Sequence, residues 1–289
     1  MKHIKTLFIL GITLFTTCIL ANNGKPDLWK VEKNGNVSYL FGSIHLGSKD
    51  MYPLSDIVSK AYERTSDLVV EIDMSPSLQA KMMPLIQKYG MDTQVPMEKR
   101  LSPKGLSIYQ DACKVKGLPC QQFSSFKGWL VGTQITNMEM QKLGYSDVFG
   151  IDKHFLKLAH DANKSVISLE TAEMQFSLLS GLSQETQEFF LIESIRAKKS
   201  DLEKLFSAWK SGDDSALVEI IHKDINHPRV KEIYEAIIEN RNYGMARKIS
   251  AKIDNKKSLF VVVGAGHIVG KNGLVDLLRK DGFKLTEIQ

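Results

Sequence analysis

The sequence has 289 residues, a formal net charge of +5 at neutral pH, and 43 % hydrophobic and 25 % charged residues. It is long enough to form a large core, as one domain or two closely joined ones, and it has no low-complexity stretch or linker rich in Pro, Gly and Ser. Lysines and arginines are scattered among acids without a basic stripe of interleaved aromatics, so nucleic-acid binding is not predicted.

The first 21 residues have the pattern of a secretory signal peptide. A positively charged start, Met1 to Lys5, precedes an almost wholly apolar run over 7–20 that is too short to span a bilayer comfortably, and Ala21 is a small residue at a plausible cleavage point. We therefore expect a mature domain over 22–289, periplasmic or secreted, with no stable membrane span after cleavage. An uncleaved membrane anchor is the alternative.

Loss of the signal peptide removes Lys2, Lys5 and one of the three cysteines, so the charge falls to 5 − 2 = +3 and two cysteines remain. An even number of cysteines in an oxidising compartment predicts a disulfide between Cys113 and Cys120. A pair of reduced, buried thiols is the alternative.

Two strands are predicted at the start of the mature chain, over Leu28 to Val31 and Val37 to Phe41. Asn34-Gly35 between them is a strong hairpin signal. The second strand runs directly into a G-x-x-H sequence that ends at His45.

A second G-x-x-H follows another predicted strand near the C-terminus. The apolar run Leu259 to Val263 is typical of a buried strand, and Gly264-Ala-Gly-His267 follows it. Ligands of open α/β sheets bind outside the carboxyl ends of the strands, and glycine there lets the backbone turn sharply. One G-x-x-H usually contains only a loop histidine, but two copies after strands favour a site. No nucleotide cofactor is predicted, because Val269 stands where the dinucleotide fingerprint needs its third glycine.

Acidic residues follow two further predicted strands. The strand from Asp67 ends in Glu71 and Asp73, and the short strand Ser165 to Leu169 is followed by Glu170. Carboxylates after a buried run need solvent or a cationic partner. A parallel arrangement would bring Glu71 to the same sheet edge as the first histidine. The alternatives are a solvated strand end for Glu71 and a role in capping the next helix for Glu170.

The segments 78–182 and 184–255 are chiefly helical in pattern. Arg241 and Asn242 interrupt an otherwise apolar helix over Ile237 to Ile249. A buried arginine needs an anionic partner, so Arg241 is a candidate clamp for a carboxylate, unless it lies on a solvated face. These patterns predict an α/β fold, with a mixed central sheet built from βα units and a large helical middle section packed over or beside the sheet rim.

Together these sequence blocks resemble the TraB/GumN family, which is related to the TIKI metalloproteases. They follow the family's order from about Leu28 to the C-terminus, and they are specific only in combination. The blocks are Leu28-Trp29-Lys30-Val31, Tyr39-Leu40-Phe41-Gly42-Ser43-Ile44-His45, Val70-Glu71-Ile72-Asp73, Gly150-Ile151-Asp152, Leu169-Glu170-Thr171 to Gln175, Ala208-Trp209, Arg241-Asn242 and Val263-Gly264-Ala265-Gly266-His267-Ile268-Val269-Gly270.

The resemblance implies one site formed by His45, Glu71 and His267, with Arg241 and Glu170 as supporting catalytic candidates. In the TIKI branch it implies proteolysis that depends on a divalent metal, with manganese or cobalt favoured and zinc as an alternative. The histidines would be metal ligands, and Glu71 would be the third ligand or the general base.

Asn242 and Gln175, together with Arg241, are the candidates for binding a peptide or protein substrate. The oligomeric state is left open. One alternative is metal-free hydrolysis of a small molecule, with Glu71 or a histidine as general base, which resembles the erythromycin esterases. Another is a non-enzymatic protein that binds haem or a peptide. Ser/His/Asp catalysis is not predicted, because the sequence has no G-x-S-x-G elbow.

Overall fold

A computed structural model describes residues 27–255 and 257–288 of the chain. The predicted signal peptide, residues 1–21, lies outside the described residues and stays a prediction. Within the described part of the chain, no helix is both long and apolar enough to cross a membrane.

Six strands form one mixed sheet. They are β1 (Leu28–Lys33), β2 (Asn36–Ser43), β3 (Asp67–Val70), β4 (Ser165–Ser168), β5 (Leu259–Gly264) and β6 (Lys284–Glu287). Their order in the sheet is β4-β3-β5-β2-β1-β6. The neighbours β4, β3, β5 and β2 are parallel, whereas β1 is antiparallel to both β2 and β6. The fold is therefore the predicted α/β class.

The helices are α1 (Asp56–Glu63), α2 (Pro76–Leu85), α3 (Met97–Arg100), α4 (Pro103–Lys116), α5 (Cys120–Phe123), α6 (Gly128–Lys142), α7 (Ile151–Asp161), α8 (Ala172–Ser180), α9 (Gln184–Arg196), α10 (Lys199–Ser211), α11 (Asp214–His222), α12 (Pro228–Tyr234), α13 (Asn240–Asp254) and α14 (Leu274–Lys280). Short 3₁₀ turns cover Lys49–Met51, Asp147–Phe149 and Ala265–His267, and π turns cover Ile86–Gly90 and Glu235–Glu239. Most of these helices lie between β3 and β5 in the chain, as the sequence predicts.

The predicted hairpin is confirmed between β1 and β2. Asn34 and Gly35 both have positive φ, 51° and 80°, as a two-residue type I′ turn requires. The strand after α1 is shorter than predicted, because β3 ends at Val70 and leaves Glu71 in the following loop. This places the Glu71 carboxylate beyond the sheet and not within its ladder.

The sheet carries the main core, and the helical section has a second one. Every residue of β5 is buried, as expected for a parallel strand with neighbours on both sides. Phe155 of α7 packs on the sheet, with its ring centroid 4.8 Å from that of Phe260 and 5.8 Å from that of Phe41. The second cluster lies among α4, α5, α6 and α9 and includes Tyr109 and Ile135.

The predicted disulfide links Cys113 near the end of α4 to Cys120 at the start of α5, with the two Cα atoms 5.9 Å apart. It closes the turn around Gly117, whose φ of 62° is the left-handed conformation that commonly ends a helix. The disulfide lies beside the second cluster and away from the sheet.

Candidate active site

The parallel strands bring four predicted site residues to one edge of the sheet. His45 follows β2, Glu71 follows β3, Glu170 follows β4 and His267 follows β5. These four strands run in the same direction, so their carboxyl ends meet at a common rim. The structure therefore gathers residues that are up to 222 positions apart in the sequence (267 − 45).

Arg241 of α13 lies between two buried carboxylates. Its Nε donates to both carboxylate oxygens of Glu170 at 3.0 Å, and its Nη2 donates to Glu170 Oε2 at 2.7 Å and to Glu71 Oε2. Nη1 donates to the Ile237 carbonyl at 2.8 Å. Arg241, Glu71 and Glu170 are all buried, so each needs this pairing to remain charged away from water.

Two further donors hold the carboxylates in place. Gln175 Nε2 donates to Glu71 Oε2 at 3.1 Å and to Glu170 Oε2 at 2.8 Å, and the Gly264 backbone N–H donates to Glu71 Oε1 at 2.8 Å. Burial raises the pKa of Glu71, but the surrounding cations and the Gly264 N–H outweigh it and hold that pKa well below its ordinary value. Glu71 is therefore ionised at neutral pH.

His267 is buried and presents Nε2 to the site. Asn242 donates through Nδ2 to the Asn272 carbonyl at 2.9 Å, so its Oδ1 is free to accept from His267 Nδ1 at 2.6 Å. Burial lowers the pKa of His267 to about 3, despite the negative charge of Glu71. His267 is then neutral at neutral pH, with an unprotonated Nε2 that lies 3.8 Å from Glu71 Oε1. It follows that Arg241 and the Gly264 N–H, more than His267, keep Glu71 ionised.

His45 is held in the same manner from the other side. Its Nδ1 donates to Asp152 Oδ2 at 2.9 Å, while Asp152 Oδ1 accepts from the Ser43 hydroxyl at 2.7 Å. The carboxylate of Asp152 raises the pKa of His45, and solvent moderates the shift because 61 % of the His45 side chain is exposed. The Asp152 carboxylate at Nδ1 fixes the orientation of the His45 ring and leaves Nε2 as the nitrogen that can contact another group.

Asp152 is a site residue to which the sequence assigned no role. Gly150 and Ile151 place it: Ile151 N donates to the Ile44 carbonyl at 3.0 Å, and a Cβ on Gly150 would lie 2.3 Å from the His45 carbonyl oxygen. Only glycine allows α7 to begin this close to the His45 loop. The block Gly150-Ile151-Asp152 was the available signal, but nothing in the sequence connected it to His45.

Two adjoining cavities open onto these residues. The smaller, of about 120 Å³, is lined by both histidines, Glu71 and Arg241 and is bounded by apolar side chains of α10 and α11. Trp209 of α10 anchors this side by donating from Nε1 to the Gly42 carbonyl at 2.8 Å. The larger cavity, of about 540 Å³, shares His45, Glu71 and Arg241 with it but does not include His267.

Two of the three predicted substrate-binding residues line a cavity, and the third is buried in the protein. Gln175 lines the larger cavity and Arg241 lines both, although the contacts of Arg241 described above are all with the chain itself. Asn242 is fully buried and holds His267 and the Asn272 loop. Its position supports a role in orienting His267.

The donor set suits a divalent ion in its chemistry. Imidazoles held through Nδ1 are the usual form of metal-ligating histidine. Two donors on one ion lie within about 4 Å of each other, twice a bond of about 2 Å, and His267 Nε2 and Glu71 Oε1 meet this limit at 3.8 Å. However, no group of three His, Cys, Asp or Glu side chains converges as a ready-made metal site in the residues that the structure describes. The structure therefore places two donors, His267 Nε2 and Glu71 Oε1, close enough to bind one ion, and His45 lines the same cavity.

The sequence matches one protein family over most of its length. The family model for the TraB/PrgY/gumN family matches residues 27–287. The chain belongs to this family.

Two bacterial relatives match the TraB/PrgY/gumN chain over most of its length. The uncharacterized protein YbaP of Shigella flexneri is 28 % identical over 246 residues, covering 84 % of this chain and 88 % of that protein. YbaP of Escherichia coli (strain K12) is 27 % identical over 245 residues, with 83 % and 87 % covered. The metalloprotease TIKI2 of Xenopus tropicalis is 42 % identical, but only over 53 residues, which is 18 % of this chain and 10 % of TIKI2. No solved structure matches the chain.

The buried ion network predicts that Arg241→Gln is strongly destabilising. The substitution leaves Glu71 and Glu170 as uncompensated buried charges, and we expect the free energy of unfolding in urea to fall by about 3–5 kcal/mol. Adding Glu170→Gln should recover part of the loss. Arg247→Gln, at an exposed position on the same helix, is the matched control and should change stability little. Equal effects of the two single substitutions would contradict this role of Arg241.

The contact between His45 and Asp152 predicts that Asp152→Asn lowers the pKa of His45 toward about 6.5, measured by NMR titration of its ring protons. The raised pKa in the folded state means that the pair stabilises the fold at pH values below the unfolded pKa and loses this effect as pH rises through the folded pKa. The variant should therefore be destabilised more at low pH than at high pH. Asp161→Asn, on the exposed face of α7, is the control, and an unchanged His45 pKa in Asp152→Asn would refute the assignment.

Proposed function

We propose that the chain is a divalent-metal-dependent hydrolase that cleaves peptides or proteins, in the periplasm or after secretion. The observation that carries the proposal is the meeting of His267 Nε2 with Glu71 Oε1, at 3.8 Å, in a cavity that His45 also lines. Both histidines are held through Nδ1, so Nε2 is the nitrogen that each can offer to the site. Nε2 of His267 is unprotonated, whereas His45, whose pKa Asp152 raises, would have to lose a proton before its Nε2 bound an ion.

Glu71 is suited to act as a ligand or as a general base. Its Oε2 accepts from Arg241 and Gln175, and its Oε1 accepts from Gly264. A carboxylate oxygen has two lone pairs, so Oε1 retains one toward His267. The remaining lone pair, on an ionised group, can accept a proton from water or bind a cation.

His45, His267 and Glu71 would hold the ion in this proposal. A bound divalent ion would lower the pKa of a water molecule and polarise the substrate carbonyl. Arg241 uses four of its five N–H donors on Glu71, Glu170 and Ile237, and the fifth, on Nη1, is left for an oxygen that gains negative charge. Glu170 acts through Arg241, whose guanidinium it orients.

The similarity to TIKI2 supports a peptidase, because that protein is a metalloprotease. The similarity covers 53 residues, and the substrate class is part of the proposal. The location rests on the signal-peptide pattern of residues 1–21. The disulfide is consistent with an oxidising compartment.

Metal-free hydrolysis is a second candidate, and the contact between His267 Nε2 and Glu71 Oε1 is compatible with it. The unprotonated Nε2 of His267 beside the Glu71 carboxylate has the geometry of a general base, but burial holds its pKa at about 3, so a bound substrate must raise that pKa before His267 takes a proton from water. In that mechanism His267 would be the general base, and His45 would position the substrate from the mouth of the cavity.

The test compares metal binding and peptide hydrolysis in the mature protein, His45→Ala and His267→Ala. We expect one Mn²⁺ or Co²⁺ per chain by calorimetry, an affinity at least about 100-fold lower in both variants, and hydrolysis of a peptide library that a chelator abolishes. Zn²⁺ is titrated in parallel. His160→Ala is the control, because His160 is a half-exposed surface residue paired with Asp73.

The outcomes separate the candidates. Hydrolysis that survives the chelator and is lost in His267→Ala would replace the metal mechanism with the metal-free one. Folded protein that cleaves nothing with or without metal would overturn both and leave binding of haem or a peptide.

A further inference from the structure

The larger cavity has the size and position of a substrate groove. Its volume of about 540 Å³ lies within the range of about 300–1,000 Å³ that is usual for ligand pockets. His45, Glu71 and Arg241 form one part of its lining, so a ligand in it would reach the proposed reactive centre. The further lining comes from the loop after β3 and from helices α6 to α9.

Apolar side chains make up much of this lining. They come from four separate elements and include Ile72, Met74, Leu156, Leu178, Leu179 and Phe190. All except Leu156 are only partly buried, so they present apolar surface to the cavity. Covering that surface with an apolar ligand group is favourable by the hydrophobic effect.

Uncharged polar side chains form a stripe along one side of the cavity. Thr133, Thr136 and Asn137 of α6 are spaced i, i+3 and i+4, which places them on one face of the helix, and all three line the cavity. Hydroxyl and amide groups can both donate and accept hydrogen bonds. A row of such groups beside an apolar surface suits a peptide, whose backbone is polar and whose side chains are varied.

The charged side chains of the lining are paired with each other. Lys153 forms an ion pair with Asp147, Asp152 accepts from His45, and Arg241 binds Glu71. A charged ligand group in the cavity would have to compete with these internal partners. The lining therefore selects for uncharged, apolar groups.

We propose that this cavity binds the substrate as a peptide segment with bulky apolar side chains next to the bond that is cleaved. The inference rests on the proposed peptidase function, and it adds the class of sequence that is recognised. The apolar side chains lie against Leu178, Leu179 and Phe190, and the peptide backbone lies along Thr136 and Asn137.

The test measures binding, so that it does not depend on hydrolysis. The probes are dye-labelled hexapeptides that differ only in their two central residues, which are Leu-Phe, Ala-Ala or Glu-Glu, and binding to the mature protein is followed by fluorescence anisotropy. We expect the Leu-Phe peptide to bind at least about tenfold more tightly than the Ala-Ala peptide, and the Glu-Glu peptide to bind most weakly.

Two variants locate the binding. Leu178→Asp places a charge in the cavity at a half-buried position, and Leu178→Ala removes apolar surface without adding charge. Val115→Asp, at a position that is 85 % exposed on α4 and outside the cavity, is the matched control. We expect both Leu178 variants to lose the preference for Leu-Phe over Ala-Ala, and Val115→Asp to retain it, with thermal unfolding used to confirm that each variant is folded.

The results distinguish this inference from the proposed function. Preferential binding of Leu-Phe that depends on Leu178, without cleavage of any peptide, would support the groove and reject the peptidase. If the protein cleaves peptides without a preference for apolar residues, and folded Leu178→Ala cleaves them equally well, the apolar substrate groove is rejected and the proposed peptidase function is retained. Equal binding of all three probes by the wild-type protein would also overturn the inference.

Discussion

The buried guanidinium of Arg241 is the interaction on which the candidate site depends. It neutralises Glu71 and Glu170, which follow adjacent parallel strands and would otherwise place two negative charges together in a water-poor region. Because Arg241 belongs to α13, the helical section is tied to the sheet edge at this point. The same interaction leaves Glu71 ionised, with one oxygen directed toward His267. The stability of the ion network and the ionised state of Glu71 therefore have a common origin.

The two G-x-x-H loops have different environments although their sequences are alike. His267 is buried, neutral and held by an amide, whereas His45 is largely exposed and held by a carboxylate. These partners give the two rings different properties: the neutral imidazole has a free Nε2 inside the cavity, and the largely exposed imidazole of His45 lines the same cavity from the solvent side. Each histidine is held by a helix residue: Asn242 of α13 holds His267, and Asp152 of α7 holds His45. The geometry of the site therefore depends on α13 and α7 as much as on the strands.

The strands and the hairpin could be predicted from the sequence, because continuous apolar runs that end in glycine or acids mark the carboxyl ends of buried strands. The strand ends also predicted a common sheet edge for His45 and Glu71, whereas one site that includes His267 was implied by the family resemblance. The partners of these residues could not be predicted. The requirement of Arg241 for an anion was evident, but only the folded chain shows that Glu71 and Glu170 supply it. Asp152 was missed because its contact with His45 is 107 residues away in the sequence. Such contacts are set by how helices pack on a sheet, which local patterns do not encode.

The measurement that tests the central claim most directly is X-ray absorption at the metal edge of the Co²⁺-loaded protein, with His45→Ala and His267→Ala in parallel. If these strand ends form one metal centre, the wild-type spectrum contains two imidazole ligands at about 2.0–2.2 Å, and each substitution removes one of them. A spectrum with only oxygen ligands, or with imidazole scattering that neither substitution changes, would contradict the account.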